Sequence, residues 1–317
     1  MKVLVSDSMA EEGVAQLRAE PGIEVDVKTN LSPEELAAVI PAYSGLIVRS
    51  ATKVTAEIFE AADKLKIVGR AGTGVDNIDL DAATRHGVLV VNAPGGNSVS
   101  AAEMALGLIL ACARNIPRGD RKLKQGVWAK KECKGRELSG KTLGIIGLGR
   151  IGREVAVRAK AFGMRVVGYD PLIDAAAIAG MGVEALDFDE LIKSSHFITL
   201  HVPRTEKTTN MISSAQFSMM RDDAILVNAA RGGLVDEQAL LAALNDGQLA
   251  GAGLDVYLGE PNPPQELVAH EKVVATPHLG ASTYEAQVKV ATFVAGYIAD
   301  YLLRGVVQSA VNKPNVE

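Results

Sequence analysis

The chain has few cysteines and aromatic residues, and its basic residues do not outnumber its acidic ones. Its 317 residues include only two cysteines, one tryptophan and 4% aromatic residues. Cys112 and Cys133 cannot build a disulfide framework, so a reducing, cytoplasmic compartment is expected. Lys and Arg number 33 against 38 Asp and Glu, a net charge of −5. That balance argues against a nucleic-acid partner, because such proteins usually present a basic face.

Long apolar runs are missing as well. The most apolar stretch, residues 104–113, follows directly on Glu103. It is too short to cross a bilayer and fits a buried helix better. The opening segment MKVLVSDSMAEEG lacks the long apolar core of a secretory signal. Neither a membrane partner nor secretion is therefore expected, and no metal site is predicted.

Glycine, in contrast, is abundant, with 31 residues that follow no collagen-like period. Such glycines are expected in turns and at close backbone approaches of a folded protein. Helix signals are also clear. Ser32-Pro33-Glu34-Glu35 predicts a capped helix start, Gly87 predicts a helix end, and a long final helix is expected over 282–303.

Short β-branched runs alternate with these helical segments. Eleven strands are predicted: 2–6, 23–27, 45–49, 66–70, 88–91, 142–146, 165–169, 197–200, 224–228, 250–254 and 273–276. Continuous apolar strands that alternate with helices indicate parallel sheets covered on both faces. Because a single open sheet of eleven strands would be unusual, the pattern predicts two α/β domains.

A glycine-rich turn carries the most informative local pattern. The strand 142–146 runs into Gly147-Leu148-Gly149-Arg150-Ile151-Gly152, which opens a helix, and the next strand ends at Asp170. This is the dinucleotide-binding pattern in its required strand–turn–helix context, with the helix N-terminus facing the phosphates. Asp170 can accept hydrogen bonds from both adenosine ribose hydroxyls and repel a 2′-phosphate. The predicted cofactor is therefore NAD rather than NADP.

Three further polar residues follow predicted strand ends, on the side where open α/β sheets bind ligands. They are Arg231, Glu260 and His278. A dehydrogenase acting on a hydroxy acid needs an acid/base for the hydroxyl proton and a cation for the carboxylate. Singly, each residue has a plainer explanation: a loop cap, a solvated acid and a structural histidine. His201, which also follows a strand, is a candidate for contacting the cofactor.

The segments NAARGGLVDEQAL, GLDVYLGEP and TPHLGASTYEAQ, with GLGRIG upstream, closely resemble the D-isomer-specific 2-hydroxyacid dehydrogenases. VRSATKVT, RAGTGVDNIDL and GNSVSAAEMA strengthen this resemblance, which covers essentially the whole chain. HLGASTYEAQ is similar to the family's phosphoglycerate branch. The resemblance implies that this chain corresponds to the catalytic core of such an enzyme, without a C-terminal regulatory domain. The ending VQSAVNKPNVE resembles the point where many members of that branch begin a serine-binding regulatory extension.

The resemblance also assigns roles. Arg231 would hold the substrate carboxylate, His278 would exchange the C2 hydroxyl proton, and Glu260 would orient the imidazole and stabilise its charged form. Cofactor contacts would come from Thr73, Gly147, Gly149, Arg150, Ile151, Gly152, Asp170, Val202, Ala229, Ala230, Asp255, Gly280 and Ala281. Substrate contacts would come from Arg49, Gly72, Thr73, Gly74, Asn97 and Arg231.

The implied architecture is α/β, with two doubly wound parallel-sheet domains. Residues 1–97 and 286–317 would form a flavodoxin-like substrate domain, into which a Rossmann NAD domain of residues 98–285 is inserted. The helix after Ser98 and the arm over 117–141 resemble the family's dimer contact, so a homodimer or higher homo-oligomer is expected.

The implied reaction is NAD-dependent oxidation of D-3-phosphoglycerate to 3-phosphohydroxypyruvate, the first step of serine biosynthesis. The partner would be a small phosphorylated 2-hydroxy acid. Two alternatives stay open. One is a related enzyme with the same catalytic set, such as a glyoxylate/hydroxypyruvate reductase or a D-lactate-type dehydrogenase. The other is an NAD-sensing binding protein similar to the corepressors that resemble this family.

Overall fold

The computed structural model describes residues 1–314, which divide into two units. The first unit combines Met1–Asn97 with the chain from Ala281 onward, and the second is Ser98–Gly280. Each unit contains one parallel β-sheet with helices on both faces, so the fold class is that predicted from the sequence. Which unit holds the substrate and which the cofactor remains a prediction.

The first unit has a five-stranded sheet in the order β2-β1-β3-β4-β5, a flavodoxin-like arrangement. Its strands are β1 (Lys2–Val5), β2 (Glu24–Val27), β3 (Gly45–Val48), β4 (Ile67–Arg70) and β5 (Leu89–Asn92). Its helices are α1 (Glu11–Arg18), α2 (Pro33–Val39), a 3₁₀ turn (Ile40–Ala42), α3 (Ala56–Glu60), α4 (Leu80–Arg85) and, after the second unit, α13 (Tyr284–Arg304). Strands β3 and β5 are buried along their whole length, which explains the apolar runs in their sequences.

Helix α13 accounts for the return of the chain to the first unit. Val290, Val294 and Ile298 pack with Val3 and Ile67 in one core cluster on a face of the sheet. The sequence suggested a crossing between residues 285 and 286, whereas the chain here leaves the second unit after Gly280, ahead of this helix. The predicted capping box at the start of α2 and the left-handed glycine after α4 are confirmed.

The second unit has a seven-stranded sheet in the order β12-β11-β10-β9-β6-β7-β8. Its strands are β6 (Thr142–Ile146), β7 (Arg165–Tyr169), β8 (Glu184–Ala185), β9 (Phe197–Leu200), β10 (Ile225–Asn228), β11 (Gly251–Leu254) and β12 (Val273–Ala275). Its helices are α5 (Ser98–Ala113), α6 (Ile116–Lys124), α7 (Arg150–Ala161), α8 (Ala175–Gly180), α9 (Phe188–Ser194), α10 (Ser214–Met219), α11 (Glu237–Asn245) and α12 (Gln265–Val268). The strand order reverses between β6 and β9, which is where a doubly wound sheet opens a ligand crevice.

The apolar helix α5 lies within the core of the second unit. Ala102, Ala105 and Ile109 are buried in a cluster with Leu143 and Val227 of the sheet. Within residues 1–314 no single helix has the length and hydropathy to cross a membrane; α5 and α6 meet those limits only as a pair bent by 62°.

Candidate active site

The glycine turn lies at the point where the strand order reverses. Gly147 follows β6 with a φ of +95°, in the left-handed region that favours glycine, and a Cβ there would stand 2.6 Å from the His201 carbonyl oxygen. At Gly152 a Cβ would lie 2.1 Å from the Gly147 carbonyl oxygen, so only glycine lets α7 approach the strand this closely. Gly149 is the N-cap of α7 and makes no side-chain cap. The first-turn N–H groups of α7 therefore face a turn in which they can bind an anion.

Asp170 stands beside this turn at the carboxyl end of β7. One carboxylate oxygen accepts from the Leu148 N–H at 2.9 Å, and the other accepts from the Leu172 N–H at 2.9 Å. These bonds hold the carboxylate in one orientation and leave lone pairs for further donors, since an ionised carboxylate has about four acceptor positions. This geometry suits the two hydroxyls of a ribose.

His201 lies in this crevice and has a buried ring nitrogen that a polar ligand could bind. It follows β9, next to Gly147, and its Nε2 lies 3.0 Å from the Thr199 hydroxyl. Its Nδ1 is buried, and none of residues 1–314 forms a hydrogen bond with it. Burial lowers the pKa of His201 to about 4, so the imidazole is neutral at pH 7. The turn, the Asp170 carboxylate and this unpaired nitrogen together fit a dinucleotide.

Arg231 is placed by a buried asparagine that sequence reasoning missed. Asn228, the last residue of β10, donates from its amide to the Arg231 carbonyl at 2.9 Å and accepts from the Ala230 N–H at 3.1 Å. The next residue, Gly232, lies so close to the Tyr257 carbonyl that a Cβ would be 1.9 Å away. The guanidinium donates to the Ala230 carbonyl at 2.7 Å. Arg231 thus sits on a loop whose backbone is fixed from two sides.

Glu260 and His278 form a hydrogen-bonded pair, 2.7 Å from carboxylate Oε2 to imidazole Nδ1. The other carboxylate oxygen accepts from the Tyr257 N–H at 2.9 Å. Burial alone would raise the pKa of Glu260, but the hydrogen bonds from His278 and Tyr257, with the charge of Arg231, hold it below its ordinary value. Glu260 is therefore ionised at neutral pH and can only accept, so Nδ1 carries a proton and Nε2 is the nitrogen that can exchange one.

The backbone of His278 has an unusual conformation, with a φ of +55°. Asp255, which is fully buried, anchors the surrounding loop. Its carboxylate accepts from the Thr276 hydroxyl at 2.6 Å, the Leu279 N–H at 2.7 Å and the Gly280 N–H at 2.8 Å. Its carbonyl also accepts from the His278 N–H at 2.8 Å. Asp255 therefore holds the strained loop that presents the imidazole.

The position of Asp255 in the sequence is the signal by which this anchor could be recognised. Asp255 follows β11 directly, and a carboxylate in the buried part of a sheet must find donors. The resemblance assigned it to the cofactor, but in the structure three donors of the His278 loop occupy its carboxylate. A cofactor contact for Asp255 stays a prediction.

The structure brings together in the second unit most of the predicted cofactor and catalytic residues. Val202 follows β9, with its side chain 2.7 Å from where a Cβ of Gly147 would lie, and Ala229 and Ala230 follow β10. Thr73 and Ala281 belong to the first unit instead.

The predicted substrate residues other than Arg231 lie in the first unit. Arg49 follows β3, and the Gly72-Thr73-Gly74 turn follows the adjacent β4, so the two loops share one sheet edge. Thr73 donates from its hydroxyl to the Asn97 side chain at 2.6 Å, and Asn92 donates to the Thr73 carbonyl at 2.5 Å. The second bond ties the Thr73 carbonyl to the last residue of β5.

Comparison with known proteins is consistent with this geometry. Residues 106–280 match the model of the D-isomer specific 2-hydroxyacid dehydrogenase NAD binding domain. The chain is 51% identical, over its full length and 60% of the relative, to a D-3-phosphoglycerate dehydrogenase of Archaeoglobus fulgidus. It is 50% identical, over 97% of its length and 58% of the relative, to the human protein of the same name. The chain thus spans about 60% of the length of the curated relatives it matches.

Solved structures show the same fold over almost the whole chain. The TT0316 protein of Thermus thermophilus superimposes with a TM-score of 0.88 and 36% identity, covering 98% of this chain and 100% of that one. An NAD⁺-bound 3-phosphoglycerate dehydrogenase of Entamoeba histolytica superimposes with a TM-score of 0.84 and 30% identity, covering 99% of each chain.

Proposed function

Because the chain belongs to the D-isomer-specific 2-hydroxyacid dehydrogenase family, with its NAD-binding domain over residues 106–280, we propose that it oxidises D-3-phosphoglycerate to 3-phosphohydroxypyruvate. The pairing of His278 with Glu260, at 2.7 Å and on the same sheet edge as Arg231, is the observation that carries the reaction class. The substrate is supported by about 50% identity to proteins with that activity in their names.

Each residue of the pair has one task. The Nε2 atom of His278 takes the proton of the C2 hydroxyl as the C2–H bond breaks, and returns it in the reverse reaction. The Glu260 carboxylate orients the ring through Nδ1 and stabilises the imidazolium that forms. Arg231 binds the substrate carboxylate through its planar guanidinium, which matches two carboxylate oxygens.

The turn Gly147–Gly152 and Asp170 would hold NAD, together with the first turn of α7. When bound, NAD⁺ supplies the acceptor for the hydride that leaves C2. Arg150 and Ile151 lie at the start of α7, where backbone N–H groups can bind the pyrophosphate. Neutral His201 would place its unpaired nitrogen against a polar group of the cofactor.

We expect Asp170→Ala to weaken the preference for NAD over NADP by about tenfold, since one charge-assisted hydrogen-bonding group and one repulsive charge are lost. Values of kcat/KM with both cofactors measure the ratio. Asp174→Ala is the matched control, because Asp174 is a nearby acid that caps α8. A wild-type ratio in the Asp170 variant would exclude its role at the ribose.

We further propose that Arg49 binds the anionic groups of the substrate, together with the amides of Gly72, Thr73 and Gly74 and the side chain of Asn97. A cation and a glycine turn beside each other can hold a phosphate through charge and backbone N–H groups.

A panel of 2-hydroxy and 2-oxo acids tests the substrate. With NADH we expect 3-phosphohydroxypyruvate to exceed hydroxypyruvate in kcat/KM by about 100-fold, because hydroxypyruvate lacks the phosphate that would form charge-assisted hydrogen bonds with Arg49. Glyoxylate and pyruvate serve as the unphosphorylated comparisons. Higher kcat/KM with hydroxypyruvate would replace this proposal by a hydroxypyruvate reductase. No turnover of any acid would favour an NAD-binding protein.

A homodimer is proposed from the surface of α6 and the segment after it. Ile116, Leu123, Val127 and Trp128 expose 56%, 59%, 42% and 80% of their surface, which is unusual for a cluster of large apolar residues. Sedimentation equilibrium should give twice the 33.3 kDa mass of the chain. A monomer at micromolar concentration would contradict the proposal, and Trp128→Ala should shift the equilibrium toward monomer.

A further inference from the structure

The loop that follows β3, residues 49–52, is built around a buried aspartate and is called here the Arg49 loop. Asp7 follows β1, the neighbouring strand, and is only 6% exposed. Its carboxylate accepts from the Arg49 N–H at 2.5 Å, the Thr52 hydroxyl at 2.7 Å and the Thr52 N–H at 3.2 Å. A buried carboxylate is costly without donors, and these three come from the two ends of one loop. The position of the loop is thereby tied to Asp7.

A second side chain holds the Arg49 loop from another strand end. Asn77 lies in the segment after β4 and donates from its amide to the Arg49 carbonyl at 2.8 Å and to the Thr52 carbonyl at 2.6 Å. Its own carbonyl accepts from the Val54 N–H at 2.9 Å. The same segment begins with the Gly72-Thr73-Gly74 turn. Asn77 therefore ties together the two loops that carry the proposed substrate contacts of the first unit.

The carboxylate of Asp7 bonds to the backbone of Arg49 and not to its guanidinium. The carboxylate bonds to the Arg49 backbone, whereas the guanidinium donates from Nη1 to a neutral acceptor, the Ser8 carbonyl, at 3.2 Å. A direct ion pair would compensate the positive charge and occupy the planar fork that binds anions. A neutral acceptor occupies one of five N–H donors and leaves the charge for another partner.

We propose that Asp7 and Asn77 are positioning residues of the substrate site, which fix the Arg49 loop so that the guanidinium meets an anionic group of the substrate. The proposal rests on the proposed function, since it needs a substrate that Arg49 binds. From electrostatics alone, removal of the negative charge of Asp7 would tighten anion binding at Arg49. If Asp7 anchors the loop, its removal weakens anion binding instead.

The test is Asp7→Asn, which keeps the shape but turns one acceptor into a donor that faces donors. We expect KM for 3-phosphoglycerate to rise about tenfold, with kcat and KM for NAD changed less than about twofold, because the catalytic pair lies on other elements. Asn77→Ala should also raise KM for 3-phosphoglycerate. It provides a second, independent test if Asp7→Asn does not fold. Asp26→Asn is the matched control, because Asp26 accepts a hydrogen bond from the Tyr43 hydroxyl in the same unit.

The double variant with Arg49→Ala shows whether Asp7 acts through Arg49. If it does, Asp7→Asn adds nothing to KM once Arg49 is absent. A wild-type KM in Asp7→Asn, or a full additional effect in the double variant, overturns the proposal.

Failure of the proposed function gives a different result. If another 2-hydroxy acid proves to be the substrate, KM for that acid takes the place of KM for 3-phosphoglycerate. If no acid is turned over, amide hydrogen exchange of Arg49 and Thr52 decides. Exchange that is faster in Asp7→Asn and unchanged in Asp26→Asn supports the anchor, and equal rates in wild type and Asp7→Asn overturn it.

Discussion

His278→Ala is expected to lower kcat by a factor of about 10²–10⁴, the range that a positioned acid/base contributes. The reason is geometric. Glu260 is ionised and holds a proton on Nδ1, so the Nε2 of His278 is the nitrogen proposed to accept the substrate proton. Without it the C2 hydroxyl would have to lose its proton to water. Steady-state kinetics with the best substrate of the panel measures the loss.

Two further variants make this result specific. Glu260→Gln keeps the hydrogen-bonding shape without the charge and should lower kcat less than the loss of the imidazole does. His86→Ala is the matched histidine control, since His86 lies in the first unit, stacked on Phe59. Titration with NAD should give a wild-type Kd in all three variants. A wild-type kcat in His278→Ala would place the proton acceptor elsewhere.

Arg231→Ala is expected to lower kcat/KM by about 100-fold or more, mainly through KM, because the proposed charge-assisted, two-point bond to the substrate carboxylate would be lost. Arg231→Lys should recover only part of the loss, since an ammonium retains the charge but not the planar fork. KM and kcat measured separately distinguish lost binding from lost chemistry.

The matched control is Arg221→Ala. Arg221 precedes β10 and forms an exposed ion pair with Asp223, with 2.7 Å between Nε and the carboxylate. Exposed pairs of this kind contribute little to stability, so the control should keep its kinetic constants. If Arg231→Ala retained the wild-type KM, the substrate carboxylate would have to be held by another cation.

Most of the fold was predictable because its signals are local. Strands buried on both faces have continuous apolar sequences, and the eleven predicted strands all appear within a few residues of their expected limits. The missed strand, β8, has two residues, Glu184 and Ala185, and lies at the edge of its sheet. So short an exposed segment has no hydrophobic periodicity by which it could be recognised.

The candidate site was predictable to the extent that parallel strands align their carboxyl ends. Arg231, Glu260 and His278 follow β10, β11 and β12, which are neighbours in the sheet, so residues far apart in sequence meet at one edge. Their roles in catalysis remain predictions. The glycine turn was recognisable because its conformations exclude side chains at Gly147 and Gly152.

By itself, the sequence determined the fold class, the position of the dinucleotide turn and the family, because each depends on residue type and spacing along the chain. Only the tertiary structure decided which partners the buried polar groups find. Asp255 holds the His278 loop, and Asp7, which no motif singled out, holds the Arg49 loop. Hydrogen bonds are short and directional, so a buried carboxylate's partner depends on loop paths that spacing along the chain does not specify.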